Sequence, residues 1–420
     1  MFLQTRSVVA TSIMAGIFTV TIALSGFFLG SLVDRYRKKA TMLLSSLISL
    51  ALYVLAAAVF LSAPAESFGD ASNAYLWVFI VLTLVGAMAG NLRGIALSTQ
   101  VTIMIPEENR DRANGMVGTA NGVAFMAASV FSGLAVGFLG MTWMLGLAIG
   151  LMVLVLGHLA TLAIPDLPGP ARPGDGAARP PGAGVDLAGT VGAIRLVPGL
   201  FGLIFFHTFN NFLGGIFMAL MDAYGLMLVS VQAWGALWGF LSLGFIVGGM
   251  VVATRGLGKN PLRMLLLANT AMWSICILFP LRASILPLTV GMFVWLCLIP
   301  VVEAAEQTVL QKVVEPARQG RVFGFAQSVE QAATPITAFL VGPIAQLVFI
   351  PFMTTGAGVE MLGPWFGTGV DRGLALLFIV AGWLGLVVTL LAMRSQAYRV
   401  LSRNYVKPEV KPEPVAVPSS

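Results

Sequence analysis

Long apolar stretches separated by short polar loops run along almost the whole chain. A helix needs about 20 predominantly apolar residues to cross a bilayer. Eleven stretches reach that length, near residues 8–31, 41–62, 76–104, 116–139, 142–164, 200–223, 231–254, 262–281, 286–311, 324–350 and 373–393. The pattern predicts an all-α membrane protein in which eleven transmembrane helices are visible.

Two polar stretches divide the chain into predicted domains. Residues 165–199 are rich in Pro and Gly, a composition typical of a flexible linker. The polar tail after Arg394 ends in a Pro/Val/Lys/Glu segment, for which we expect disorder. We predict an N-terminal bundle at 1–164, a cytoplasmic linker at 165–199, a C-terminal bundle at 200–394 and a cytoplasmic tail at 395–420.

The composition excludes a soluble globular protein, because 58% of the residues are hydrophobic and only 10% are charged, whereas soluble domains are about 25% charged. The net charge of +6 therefore concerns membrane topology, and we expect a lipid bilayer rather than nucleic acid as a partner. With two cysteines and two histidines, we expect neither a disulfide framework nor a multi-ligand metal site. The chain has no ATP-binding loop and its spans contain no hydrolase or zinc-protease motif, so we expect neither an enzyme nor a cofactor.

The charges of the loops predict the orientation of the chain. If all eleven segments cross the membrane, twenty of the 24 Lys and Arg residues lie on the side of the linker and the tail. Arg6, Arg282 and Arg372 lie on the opposite side. Because cationic loops stay in the cytoplasm, we expect a multi-pass plasma-membrane protein, in the bacterial inner membrane, with a cytoplasmic C-terminus.

A short basic loop joins the first two predicted spans and carries the most specific motif. Gly30–Met42 reads Gly-Ser-Leu-Val-Asp-Arg-Tyr-Arg-Lys-Lys-Ala-Thr-Met. The simplest interpretation is a solvated basic turn; alternatively, Asp34 caps the next helix or pairs with Arg and backbone amides.

A second pattern is an internal repeat, since Gln100–Gly115 is similar to Gln307–Gly324 at an offset of about 208 residues.

The spacing Gly-x-Leu-x-Asp-Arg-x-x-Lys-Lys resembles the signature of the major facilitator superfamily in the loop between its second and third helices. The sequence departs from it at Arg37, where the family usually has glycine. The loop Ile105–Gly115 is similar to the loop between the fourth and fifth helices in one branch of that superfamily, the macrolide-efflux and enterobactin-exporter-like proteins. The resemblance implies the major facilitator fold, two helical bundles with twelve transmembrane helices.

Eleven spans of an expected twelve, together with the loop charges, place the N-terminus outside the cell. No preceding segment is present to carry it across. We therefore expect that the first helix is missing from this sequence because its start is assigned too far downstream of the true one. The alternative is a true eleven-helix protein with an open cavity wall.

The resemblance also implies a function. We expect a monomeric secondary transporter that moves a small organic solute by alternating access, exporting a drug-like or siderophore-like compound with protons as the coupling ion. Two alternatives stay open, namely nutrient uptake on the same fold and a non-transporting membrane scaffold or sensor. We expect a gate between the bundles, in which Asp34 holds them together in the outward-open state. The candidate gate residues are Gly30, Asp34, Arg35, Lys38 and Lys39.

Polar residues inside three predicted spans are the candidates for the substrate and proton pathway. Such groups are costly in a span and usually face the bundle interior or water. The resemblance implies that the spans at 76–104, 200–223 and 286–311 line a central cavity. The candidates are Asn91, Arg93, His207, Asn210, Asn211, Glu303, Glu306 and Gln307. His207, Asn210 and Asn211 share one face of their helix. Glu303, Glu306 and Gln307 also share one face of theirs.

Each candidate also has a structural interpretation. Arg93 could be a cation held by helix-end carbonyls, and His207 could donate to a neighbouring backbone carbonyl. Glu306 could be an ordinary interfacial charge. Asn210 and Asn211 could form interhelical hydrogen bonds.

The repeat leads to a further prediction about Arg93. At the offset of the two halves, Arg93 falls near the position equivalent to Glu303, so parallel halves would bring them to opposite walls of one cavity. We predict that they interact in at least one transport state. Proton coupling is expected through Glu303 or Glu306. The aromatic surface of the cavity is expected from Phe205, Phe206 and Phe209.

Overall fold

The structure, a computed structural model, describes residues 33, 36–68, 73–134, 140–164 and 187–406. None of these residues lies in a β-strand. The α-helices are α1 (Lys38–Ser62), α2 (Ala74–Met104), α3 (Arg110–Leu134), α4 (Gly140–Thr161), α5 (Leu187–Arg195), α6 (Leu200–Leu228), α7 (Val231–Leu241), α8 (Leu243–Arg255), α9 (Pro261–Leu278), α10 (Ile285–Val313), α11 (Gln319–Ile344), α12 (Ile350–Thr354), α13 (Gly358–Met361), α14 (Gly363–Phe366), α15 (Val370–Arg394) and α16 (Gln396–Val406).

Nine helical segments in the described ranges are long and apolar enough to cross a membrane. They coincide with nine of the predicted spans. The predicted span at 116–139 overlaps α3, whereas the one at 8–31 lies outside the described residues. The all-helical membrane fold is thereby confirmed, and the total of eleven visible spans stays a prediction.

Two of the predicted spans are not regular α-helices throughout. The span at 231–254 consists of α7 and α8, which meet at Ser242; its hydroxyl donates to the Gly239 carbonyl at 2.7 Å. Near the end of α11, Pro343 is followed by a π-helical turn at Ala345–Phe349. Proline removes a backbone donor and crowds the preceding turn, which explains why the helix widens there.

Side-chain caps explain where several helices begin. Asn73 accepts from the backbone N–H of Tyr75 at 3.0 Å at the start of α2. Asn260 does the same for Arg263 at 3.1 Å in α9, whose first residue is Pro261. The Asn side chains satisfy free N–H groups of the first helical turn, and the proline at the first position has no N–H group to satisfy.

Two helices lie in the stretches that the sequence predicted as linker and tail. α5 falls in the predicted linker and buries Thr190, Ala193 and Ile194. α16 falls in the predicted tail, where Leu401 is only 2% exposed and Ser402 accepts from Asn260 at 2.7 Å. These helices pack on α6 and its neighbours, and composition alone does not detect such tertiary contacts.

The two halves of the chain pack closely along α3 and α8. A Cβ atom on Gly115 would lie 2.5 Å from the backbone nitrogen of Ala253, and one on Gly249 would overlap Thr119. The absence of a side chain at these positions lets the two helix backbones approach, as small residues do in other membrane bundles. This contact fixes the position of α3 against the second half.

Candidate transport pathway

Three interhelical turns, at residues 105–109, 256–260 and 314–318, meet with α16 at one end of the bundle. We call it the basic end, because the turns and their flanks hold Arg110, Arg112, Arg255, Lys259, Arg263, Lys312, Arg318 and Arg321. The turn between α6 and α7 and the short helices α13 and α14 lie at the opposite end.

Polar side chains of the two halves form a network at the basic end. Asn114 of α3 donates to the Thr308 hydroxyl at 2.8 Å and to Gln311 Oε1 at 2.9 Å, both on α10. Gln311 Nε2 donates in turn to the backbone carbonyl of Ser98 on α2 at 3.0 Å. Asn114 is 7% exposed and Gln311 only 2%. Buried hydrogen bonds of this kind are strong, and leaving one partner unpaired is costly.

Charged groups reinforce this network. Arg110 donates to the carbonyls of Thr102 at 3.0 Å and Gln311 at 3.2 Å, and so binds the C-terminal turns of both α2 and α10. Lys312 of α10 pairs with Glu107 of the first half at 2.5 Å. The halves are therefore in contact at the basic end in this conformation.

This network was not predicted from the sequence, although the segments that build it belong to the predicted repeat. Asn114 lies in the repeat segment Gln100–Gly115, and Gln311 lies in its counterpart Gln307–Gly324. The repeat was therefore the available signal. Which polar residues of the two copies meet is decided by the packing of α3 on α10.

A cavity of about 330 Å³ adjoins the network, between α2 and α3 of one half and α10 and α11 of the other. Its polar lining consists of Ser98, Asn114, Asn121, Glu303, Glu306, Gln307, Gln327, Glu330 and Gln331. None of the described lining residues is Lys or Arg. The wall of this central cavity therefore combines amides with an excess of carboxylates.

Two carboxylates of that wall, Glu306 and Glu330, form a cluster with an imidazole from α6. His207 Nδ1 of α6 lies 2.7 Å from Glu306 Oε2 of α10, and ligand atoms of His207, Glu306 and Glu330 lie within 4.8 Å of one another. His207 is 8% exposed and Glu306 is 6% exposed. The partner of His207 is thus a carboxylate rather than a backbone carbonyl, and Glu306 is buried rather than interfacial.

Glu330 was not among the pathway residues predicted from the sequence. It is the only acidic residue in the predicted span 324–350, and an ionisable group within a span is itself a functional signal. The expectation against a metal site counted cysteine and histidine but omitted carboxylates, which are also metal ligands. The His207–Glu306–Glu330 group is the arrangement that this count overlooked.

The predicted amides have separate surroundings. Asn91 of α2 accepts from Gln327 of α11 at 3.2 Å across the two halves, and Gln307 lines the central cavity. Asn211 donates to the backbone carbonyl of Glu330 at 3.4 Å. Asn210 accepts from the Trp273 indole of α9 at 2.7 Å. Asn210 and Asn211 therefore form interhelical hydrogen bonds in this conformation.

Arg93 and Glu303 have different neighbours here. Arg93 Nη1 donates to the Ser46 hydroxyl on α1 at 3.4 Å, whereas Glu303 lines the central cavity. The predicted pair is not formed in this conformation.

The expectation that Phe205 lines the central cavity also needs correction, because its side chain is 61% exposed and stacks on Phe201 beside α15 and α16. It does not line the central cavity.

Only part of the predicted gate lies in the described residues. Lys38 donates to the Val33 carbonyl at 2.5 Å. Lys39 donates to the Ala160 and Leu162 carbonyls at 3.0 and 2.5 Å, and so stabilises the C-terminal end of α4. The other members, Gly30, Asp34 and Arg35, lie outside the described residues. Their gating role stays a prediction.

A second cavity, of about 450 Å³, lies among α6, α7, α9 and α10. Its aromatic lining consists of Phe125, Phe217, Trp234, Trp238, Phe279 and Trp295. Asp222 Oδ1 accepts from the Trp234 indole at 2.9 Å and from the Trp238 indole at 3.2 Å. Aromatic faces around a carboxylate favour a hydrophobic cation as ligand.

The helical bundle consists of two halves with a cavity between them. This architecture agrees with the sequence family that matches the chain. The profile described as Major Facilitator Superfamily matches residues 4–338. The chain belongs to the major facilitator superfamily. Membership confirms the family predicted from the basic loop and places the protein among multi-pass membrane transporters. No curated protein sequence matches the chain.

Three solved structures share the fold at low sequence identity. The human organic anion transporter MFSD10 (TETRAN) has a TM-score of 0.62 at 15% identity, covering 89% of this chain and 83% of that one. A bacterial homologue of the iron transporter ferroportin, outward-facing, scores 0.61 at 12% identity, covering 93% and 91%. The proton:xylose symporter XylE scores 0.60 at 13% identity, covering 92% and 86%.

Proposed function

We propose that this transporter exports a drug-like or siderophore-like organic solute by alternating access, with protons bound at Glu303, Glu306 and Glu330 as the coupling ion. The observation that supports this is the carboxylate cluster on the wall of a cavity between the two halves. A scaffold or sensor would need neither the cavity nor buried carboxylates.

Electrostatics explain how the cluster could couple protons to transport. Three carboxylates on the wall of one cavity repel each other, and a single imidazole offers at most one compensating charge. Loading with protons relieves this repulsion, and their release restores it. The cavity adjoins the Asn114–Gln311 network, so the protonation state of the cluster biases whether the halves stay in contact at the basic end.

The second cavity supports the class of solute. It offers an apolar aromatic surface of drug-molecule size, and Asp222 adds one negative charge. The solved relatives are named for an organic anion, iron and xylose, so the shared fold does not select a solute. The aromatic lining and Asp222 favour an amphipathic organic cation over an anion or a sugar.

Efflux of a lipophilic cationic dye from everted vesicles, with simultaneous recording of internal pH, tests the proposal. Vesicles with the protein should accumulate ethidium and release protons when the dye is added. Glu306→Gln removes a titrating group from the cluster and should abolish both signals. Glu360→Gln, an exposed residue at the opposite end, is the matched control and should behave as wild type.

The outcomes separate the alternatives. Wild-type dye efflux and proton release by Glu306→Gln would exclude this cluster as the coupling site. Dye movement in the opposite net direction under the same gradient would favour uptake. Absence of flux for dyes, siderophore-like chelators and nutrients alike would favour a scaffold or sensor.

A further inference from the structure

His207, Glu306 and Glu330 come from three helices, α6, α10 and α11, and converge on one buried point. One ligand atom of each lies within 4.8 Å of the others. In a tetrahedral site with bonds of about 2.0–2.1 Å, ligand atoms are about 3.4 Å apart. Side-chain rotations that move these atoms by about 1 Å would close a shell of that size. The backbone therefore brings three ligands close enough for side-chain rotation to give the spacing that an ion requires.

Three polar atoms at this point have no hydrogen-bond partner in the protein, which favours a further group as their partner. His207 Nε2, Glu306 Oε1 and Glu330 Oε1 are buried without a hydrogen-bond partner. Buried polar atoms are nearly always paired, because leaving them unpaired is costly. All three are acceptors when His207 donates through Nδ1 and the carboxylates are ionised. Only a donor or a cation satisfies three acceptors.

The charge of the surroundings favours a cation. Glu303 adds a fourth ionisable group to the same cavity wall, and no described residue lining the cavity is Lys or Arg. Imidazole together with carboxylate is the ligand set of borderline divalent ions such as Zn²⁺ and Co²⁺, whereas Ca²⁺ and Mg²⁺ prefer oxygen alone.

We propose that His207, Glu306 and Glu330 form a binding site for one borderline divalent metal ion on the wall of the central cavity. Glu306 and Glu330 line that cavity, so the remaining coordination positions are open to water or solute. The inference goes beyond the proposed export, since it requires binding alone. The ion and the coupling protons compete for the same side chains.

Calorimetric titration of the detergent-purified full-length protein with Zn²⁺, repeated with Co²⁺ by visible absorption, tests the site. We expect one ion per chain, with binding that weakens as the pH falls because the ligands must lose their protons. His207→Gln and Glu330→Gln should each weaken binding by about tenfold or more. The matched control is His158→Gln in α4, an exposed histidine, which should bind as wild type.

Two further measurements keep the result unambiguous. Thermal unfolding without metal identifies a variant that fails to fold; for such a variant Glu330→Asp, which shortens the ligand by one methylene, replaces it and should also weaken binding. Absence of one-to-one binding, or equal binding by His207→Gln, Glu330→Gln and wild type, overturns the site. Dye-driven proton release in the presence of a chelator tests the proposed export separately, so either idea can fail while the other stands.

Discussion

At the scale of single residues, the buried amide network at the basic end is the most specific contact between the two halves. Asn114 donates two hydrogen bonds to α10 and accepts a third from Gln311 Nε2 at 3.2 Å. Gln311 also donates to the Ser98 carbonyl on α2. Both amides are buried, so each depends on the other for its hydrogen bonds. We interpret the network as the closed side of an alternating-access cycle.

Replacing Asn114 by Ala should favour the state that is open at the basic end. The change removes three bonds, two donated by Asn114 and one donated by Gln311 Nε2. It leaves Gln311 Oε1 without its donor, a cost of about 1–3 kcal/mol. A change of about 1.4 kcal/mol shifts the open population tenfold. The rate at which an impermeant maleimide, added from the basic side, alkylates Ser98→Cys in a background without Cys276 and Cys297 measures this population.

The control for that experiment is Asn109→Ala, an exposed residue in the nearby turn. It should leave the alkylation rate unchanged. An equal rate for Asn114→Ala and its parent would show that the network does not hold the halves together.

At the scale of helices, the contact between α3 and α8 depends on backbone approach. Two of the glycines in this contact, Gly115 and Gly249, come from different halves. Because membrane helices associate through close packing rather than exclusion of water, even one methyl group changes this interface. The same contact sets the position of Asn114, which is the neighbour of Gly115.

Gly249→Ala should therefore lower both thermal stability and transport. Its Cβ would lie 2.6 Å from the Thr119 hydroxyl and closer still to the backbone, an overlap that costs about 1–3 kcal/mol. Unfolding in detergent, followed by fluorescence, measures the loss. Gly239→Ala on α7, where no atom lies within 4 Å of the added Cβ, should unfold like wild type; similar midpoints for the two variants would contradict the argument.

At the scale of the whole molecule, the positive charges and the contact between the two halves lie at the same end, the basic end. The turns at the basic end and their flanks hold eight of the 18 Lys and Arg residues in the described ranges, and α16 adds Arg399 and Arg403. The same end holds the contact between the halves. The loop charges predict that this end faces the cytoplasm. The state described here, with the halves in contact at the basic end, would then be closed to the cytoplasm.

Reporter fusions test this orientation. A fluorescent protein that matures only in the cytoplasm should fluoresce when fused after Ser420, and alkaline phosphatase at that point should be inactive. Fusions after Arg282, at the opposite end, should give the reverse pattern. Phosphatase activity after Ser420 would mean that the excess of positive charge does not set the topology of this chain.

The sequence by itself determined the helical membrane fold and the family. Long apolar runs leave a chain no alternative to helices in lipid, because every backbone polar group must be satisfied internally. The basic loop carried the family resemblance that the match over residues 4–338 confirms. The polar residues His207, Glu303 and Glu306 stood out because polar groups are rare in such runs.

Only the tertiary structure decided which of these residues meet. It placed His207 against Glu306, brought in Glu330 from another helix, and directed Arg93 to Ser46 instead of Glu303. A helix presents side chains all around its axis, and periodicity does not tell which face meets which neighbour. The rotation and close approach of packed helices, set here by glycines and buried amides, supplied that information.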